Sequence, residues 1–444
     1  MRFAASLSTH PVTAHAIGEA VGQVIEQIGR HPDLAVLFVT RPHAGALEDV
    51  ADTVNRLLGP TVLIGCAAES VVGNQREVEH EPAVTLWAAL TGPVIPVRLW
   101  AERRGTSRSG PDPLGAHPLA SDPSGTHPPG SHPPGAHPLA SDPSGADPLG
   151  AHPMASELRI AGWPDDVPFD PQSLLLVGDP FSFPVDTLLK DLGQRHPGLP
   201  VLGGMASAAR GPGGNRLALG SRIFTDGAVG ALLGPGVAMT SVVSQGCRPI
   251  GRPLAVTKAE RNIIYELAGQ PALHRLIQVA KEGGSERDIK LINEGLQIGL
   301  VIDEHKADFG RGDFLIRNVV GADRANGAIA IGDVVEVGTT VQFHVRDAEA
   351  ADEDLRELLA GERADGVLLF TCNGRGSRLF DSADHDAGVV GDLLGEPATA
   401  GFFAAGELGP VGGRNFVHGF TASMALFHDA STAMAGDAVT GAGG

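Results

Sequence analysis

Thr371-Cys372-Asn373-Gly374-Arg375-Gly376 is the stretch of this chain best furnished to recognise a small charged molecule. It follows the apolar run Gly366 to Phe370, so it stands where a buried strand would end. Gly374 and Gly376 permit backbone with φ > 0 and close approach by a ligand. Asn373 supplies a directed amide, and Arg375 a planar fork that fits a carboxylate or phosphate. Gly406-Glu407 closes the next apolar run of the same unit, and a carboxylate there reads a cationic group. The set suits a zwitterion, with Arg375 and Asn373 on its anionic end and Glu407 on its cationic end. The plainer account is a salt bridge between Arg375 and Glu407, or local backbone capping by both.

Other candidates carry less chemistry. Cys372 as a nucleophile has no base tied to it in sequence, and His385 or His418 serves only if the fold brings it near. A buried cysteine acting as a small hydrophobe accounts equally for Cys372, Cys66 and Cys247. Gly203-Gly204 and Gly65-Cys66 end their own apolar runs, where small residues either admit a ligand or let a loop pack closely. Gly211-Pro-Gly-Gly-Asn215 lacks the Lys and Ser/Thr of a phosphate loop. There is no Gly-x-Ser-x-Gly elbow. His80-Glu81-Pro82 lacks a second histidine at zinc-helix spacing. Asp381-Ser-Ala-Asp384-His-Asp386-Ala-Gly388 misses calcium-loop spacing and reads as the N-terminal cap of a following helix. Neither a catalytic set nor a metal site is expected.

The elements that must position these residues share one plan, used three times. Leu34 to Thr40, a helical pattern, then Thr61 to Cys66 is the first copy. Ser173 to Asp179 with Leu199 to Ser207 is the second, and Gly366 to Cys372 with Thr399 to Phe403 the third. Apolar runs without polar alternation are strands buried on both faces of a parallel sheet. Ligands bind beyond the carboxyl ends of such strands. Further strands follow each βαβ element, among them Ala83 to Leu90, Val94 to Trp100, Ser221 to Thr225, Val229 to Leu233 and Val237 to Val243. A helix is expected over Val12 to Ile28. Ser244 to Gly251 reads as a turn-rich junction, followed by a helix at Pro271 to Lys281 and strands at Gln297 to Ile302, Phe314 to Val319 and Val341 to Val345. The expectation is an α/β protein of repeated βαβ-plus-strands units in two mixed-sheet domains, over 1–250 and 251–430, with a disordered tail at 431–444.

From Gly110 to Ser156 proline recurs every fifth residue, after His or Asp. Such a segment buries too little apolar surface to offset its ordering entropy, so a disordered Pro-rich insert is expected. Its histidines have no preset geometry for a cation. With 52 Asp and Glu against 33 Lys and Arg, the net charge is −19. That excludes a surface built to embrace nucleic acid or anionic lipid. Three scattered cysteines give no disulfide framework and fit a reducing cytoplasm. The first residues hold no apolar core of signal-peptide length.

Taken together, the chain resembles the FIST family, sensory proteins with paired FIST N and FIST C domains. For FIST N the resemblance is carried by Val62-Leu-Ile-Gly-Cys-Ala-Ala68, Val201-Leu-Gly-Gly-Met-Ala-Ser207, Val243-Ser-Gln-Gly-Cys-Arg-Pro-Ile-Gly251 and Glu266-Leu-Ala-Gly-Gln-Pro-Ala272. For FIST C it is carried by Cys372-Asn-Gly-Arg-Gly376, Gly401-Phe-Phe-Ala-Ala-Gly-Glu-Leu-Gly-Pro410 and His418-Gly-Phe-Thr-Ala-Ser423. It implies small-ligand sensing in signal transduction, with an amino-acid-like metabolite as ligand and a separate signalling partner. The pocket is expected at the strand ends between the two domains, where Gln245 and Arg248 join the residues named above. Two rivals remain: a haem sensor with His385 or His418 as axial ligand, and an enzyme using Cys372 or Glu407.

Overall fold

The computed structural model describes residues 2–103, 158–282 and 285–429. The insert expected at 110–156 and the tail at 431–444 lie outside the described residues.

The strand Leu34–Thr40 shows why each repeat forms where its apolar run predicts. All seven of its residues are buried. Its side chains alternate between two cores. Leu34, Val36 and Phe38 enter a central core, whereas Ala35, Leu37 and Val39 meet the helices Thr13–Ile28 and Leu47–Leu57. A strand with water on neither face has no place for a polar alternation. It pairs in parallel with Val62–Ala68, as Ser173–Gly178 does with Val201–Met205 and Gly366–Cys372 with Ala398–Ala404. Antiparallel strands flank each parallel pair, so the sheets are mixed. Val185–Arg195 covers the second pair, and Ala348–Leu359 with His385–Leu394 the third.

A glycine marks the same place in all three pairs. Gly65, Gly203 and Gly401 stand opposite Leu37, Leu176 and Leu369 in the parallel registers. A Cβ on them would lie 2.0, 1.8 and 1.8 Å from the facing leucine carbonyl oxygen. No side chain fits there, so these glycines serve the ladder itself.

Strands do not stay with their own repeat. After the second repeat, Leu217–Leu219 and Arg222–Phe224 join the first sheet, Ala228–Leu233 the second and Ala238–Gln245 the third. The hairpin of Ser70–Gly73 and Arg76–Glu79, from the first half of the chain, pairs onto Ala398–Ala404 of the third sheet. In return Glu407–Val411 and Arg414–His418 pair onto Val201–Met205 of the second. The three sheets meet in one central core, where Phe38, Ile64 and Trp87 pack with Leu175, Leu202, Phe370, Phe402 and Phe427. Trp87 Nε1 donates to Ala398 O from one sheet to another at 2.9 Å.

Residues 247–346 build a separate closed barrel. Cys247–Glu260 pairs with Thr340–Arg346 on one side and Ile263–Leu267 on the other, and Leu296–Val301, Phe314–Asp323 and Ala328–Ile331 complete the circuit. The expected turn-rich junction at Ser244 to Gly251 is strand on both sides of Gly246. Pro249 is tolerated because at its level the strand has one ladder neighbour, pairing with Ile263–Leu267 beginning only at Val256. Among the described residues no helix is long and apolar enough to cross a membrane.

Candidate functional site

Arg375 lies three residues past the strand Gly366–Cys372, just before the 3-10 turn Gly376–Arg378. Its side chain is 0% exposed, and its partner is Asp386, 1% exposed, from the first turn of His385–Leu394. Nε donates to Oδ2 and Nη2 to Oδ1, both at 2.7 Å. Thr371 Oγ1 also donates to Asp386 Oδ2 at 2.7 Å, and His385 Nδ1 lies 2.9 Å from Oδ1. Burial by itself would raise the Asp386 carboxyl; the Arg375 guanidinium and these bonds reverse that and hold it well below the usual range. His385 Nε2 reaches Asp352 Oδ1 at 3.0 Å, and the imidazole stacks on Phe380, over which Arg375 also lies at 5.2 Å. The Arg375–Glu407 salt bridge weighed from sequence is thus replaced by Arg375–Asp386. The acidic run that reads as a helix cap supplies a buried counter-ion.

Glu407 opens its strand opposite Gly204 and is fully buried. Oε2 accepts from Thr421 N at 3.1 Å and from Thr421 Oγ1 at 2.8 Å, while Oε1 has no hydrogen-bond partner. Burial pushes this carboxyl up to about 8, against the bonds from Thr421 and the charge of Arg375. The folded chain therefore keeps the proton to about pH 8, where an unfolded glutamate loses it near 4.5. This group's contribution to stability is complete below 4.5 and is lost as pH rises through 8. Relative to Glu407→Gln, the wild-type chain should lose on the order of 4 kcal/mol of unfolding free energy between pH 4.5 and 8.5. Urea unfolding of both across that range measures it; two parallel curves would show that Glu407 does not titrate this way.

Polar atoms without partners concentrate here. Seven buried side-chain N or O atoms among the described residues make no hydrogen bond, and four belong to this locale: Asn373 Oδ1, Arg375 Nη1, Glu407 Oε1 and Glu77 Oε2. Buried polar groups are satisfied with few exceptions, so these four atoms stand out within the fold. Glu77 comes from the exchanged hairpin. Its Oε1 accepts from Ala387 N at 2.9 Å, and its own N–H donates to Asp384 Oδ1 at 2.6 Å, so a distant segment satisfies the start of the helix His385–Leu394. Burial first, then the charge of Asp386, raises the Glu77 carboxyl. Thr421 lies in the stretch His418 to Ser423 that carries the resemblance but was given no role there, and Glu77 lies in no pattern that singles it out.

The structure brings several further sequence candidates to this place. Asn373 N donates to Ala404 O at 3.0 Å, and Asn373 O accepts from Arg378 Nη1 at 2.8 Å. Arg378 also donates to Glu69 Oε1 at 2.8 Å, tying the loop to the first half of the chain. Gly374 N points at Cys372 Sγ, 3.4 Å away, and that thiol is pushed up to about 12 by burial and by Glu407. Gly376 has φ +58°, and a Cβ there would meet the Phe403 ring at 2.6 Å. Gly406 O accepts from Met205 N at 2.8 Å, joining the second and third sheets.

Other candidates lie apart or serve the frame. Gln245 is buried, its amide donating to Phe314 O at 2.8 Å in the barrel and its N–H to Asp354 Oδ2 at 2.7 Å. Arg248 pairs with Asp288 and, at 2.9 Å, with Asp347. It lines a different pocket, of about 130 Å³, with Ile250, Val279 and Ile292. Gly65 and Gly203 are the ladder glycines, and Cys66 packs in the central core with its thiol raised by burial. His418 Nε2 lies 3.0 Å from Gly409 O, and burial holds the imidazole down at about 4. His385 is engaged at both nitrogens.

Residues 33–270 match the FIST N domain and residues 272–410 the FIST C domain. An uncharacterized protein of Mycobacterium tuberculosis (strain CDC 1551 / Oshkosh) is 43% identical over 438 residues, covering 97% of this chain and 100% of the relative. An uncharacterized protein of Mycobacterium bovis is 42% identical over 436 residues, covering 97% and 99%.

Proposed function

Because the chain belongs to the FIST family, whose domains are sensory and signal-transduction domains that bind small ligands, we propose that it senses an amino-acid-like metabolite at the mouth of the third repeat. It acts in the cytoplasm and passes the signal to a separate partner protein. The observation that carries this reading is the group of unpartnered buried atoms beside Cys372 to Arg375. Three are carboxylate or amide oxygens and one is a guanidinium nitrogen, a set that suits a ligand with both an ammonium and an acceptor group. Glu407 is the group for the ammonium and must shed its proton to pair with it. Arg375, with its fork on Asp386, offers the ligand its Nη1 amino group. A Cys372 thiol raised to about 12 stays protonated at neutral pH, which favours binding over nucleophilic chemistry.

A thermal-shift screen of the full chain against the twenty standard L-amino acids tests this. A ligand at 100 times its Kd adds about 2.7 kcal/mol of stability and raises the melting temperature. Glu407→Gln should weaken such a ligand at least about tenfold, or about 1.4 kcal/mol. Absence of any shift across the panel, confirmed by calorimetry, would overturn the proposal.

A further inference from the structure

We infer that Arg346, a barrel residue, holds the anionic end of the ligand and that this end is a carboxylate. The inference rests on the small-ligand reading above and assigns the charge that reading leaves open. Arg375 is already neutralised by a bidentate carboxylate within the core. A second carboxylate brought to its unpartnered Nη1 would meet a guanidinium whose charge Asp386 has cancelled. Arg346 is in the opposite condition. It ends the strand Thr340–Arg346, is half-buried, and forms no ion pair among the described residues.

Its guanidinium is nevertheless held in place. Nη2 donates to Gly374 O and, at 3.3 Å, to Arg378 O, and the planar group lies over the Phe420 ring at 5.4 Å. Both carbonyls belong to the loop that presents Asn373 and Arg375. One nitrogen is thus used for anchoring, while Nε and Nη1 make no hydrogen bond among the described residues. These two do not share an edge of the guanidinium, so a carboxylate takes a single charge-assisted hydrogen bond from one of them beside the arginine's charge. Holding that orientation beforehand reduces the entropy lost on binding.

Position supports the same assignment. Cys372, Asn373, Gly374, Arg346 and Phe420 all keep some exposure, whereas Arg375 and Glu407 have none. An anion approaching the mouth therefore reaches Arg346 rather than the buried Arg375, and Arg378, also part-exposed, is already paired with Glu69. Gly374 keeps that approach low, since a Cβ there would stand 3.3 Å from the Phe420 ring and 3.6 Å from Arg346 Nη2. An ammonium at Glu407 and Asn373 with a carboxylate at Arg346 makes one ligand span the third repeat and the barrel.

Calorimetric titration of the full chain with L-amino acids and with their carboxamides tests this, using wild type and Arg346→Gln. Acids should bind wild type at least tenfold more tightly than amides, and this preference should vanish in Arg346→Gln. If that variant does not fold, Arg346→Lys, which keeps the charge but loses the planar group held over Phe420, should show a reduced preference. Undiminished preference in either folded variant, or equal binding of acids and amides by wild type, overturns the role of Arg346 and leaves the small-ligand reading standing. Failure of wild type to bind either series overturns both.

Discussion

Replacing Arg375 by alanine is expected to destabilise the chain by about 3–5 kcal/mol, because it leaves the Asp386 carboxylate buried without its partner. Asp386→Ala should do comparable harm by stranding the guanidinium. Neither change exposes the survivor to water, since the two side chains are 0% and 1% exposed. Thr371 and His385 still bond Asp386 in the first variant, which limits the loss without cancelling it. The pair itself contributes much less than either deletion removes, because burying two charges offsets most of their attraction. The double variant Arg375→Met with Asp386→Leu should therefore recover most of the stability lost in either single one. Urea unfolding of the three variants decides this. Single variants within about 1 kcal/mol of wild type would contradict the burial of the pair. A loss of ligand affinity in Arg375→Ala has the same root and is read only alongside its unfolding curve.

Alanine at Gly401 or Gly203 should destabilise the chain by about 3 kcal/mol or more. The added methyl carbon would lie 1.8 Å from the carbonyl oxygen of Leu369 or Leu176, well inside van der Waals contact. Backbone, not a flexible side chain, is the obstacle, so relief requires the parallel strands to separate. Gly203 adds a φ of +144°, which alanine rarely adopts. Gly18 and Gly22 provide the contrast: both are exposed in the helix Thr13–Ile28, and a methyl carbon added to either would meet nothing within 4 Å. Alanine there should stabilise by about 0.5–1 kcal/mol through helix propensity. Thermal melts of the four variants should separate into two losses and two gains. Tolerance of alanine at Gly401 would show that the third parallel pair is not in this register.

Much of the frame was legible from residue patterns. Leu34 to Thr40, Ser173 to Asp179 and Gly366 to Cys372 are strands because a strand covered on both faces must be apolar throughout. The helix Thr13–Ile28 follows from Ala16, Ile17, Ala20, Val21 and Val24 on one buried face. The junction at Ser244 to Gly251 misled, because Gly and Pro signal a turn only where no neighbouring strand holds the backbone extended.

Residue order alone determined the three-fold βαβ plan, the parallel pairs within it, and the placing of Asn373 and Arg375 just past a strand end. These are properties of segments a few residues long, set by side-chain period and by where an apolar run stops. Only the tertiary structure decided that the hairpin at Ser70–Glu79 crosses to the third sheet, that Glu407 pairs onto the second, and that Asp386 rather than Glu407 takes Arg375. It alone set Glu77 and Arg346 beside the same loop. Which sheet a strand joins and which carboxylate meets a buried guanidinium depend on contacts between segments far apart in the chain. Such contacts leave no periodicity in either segment, so they exist only once the sheets have closed on their common core.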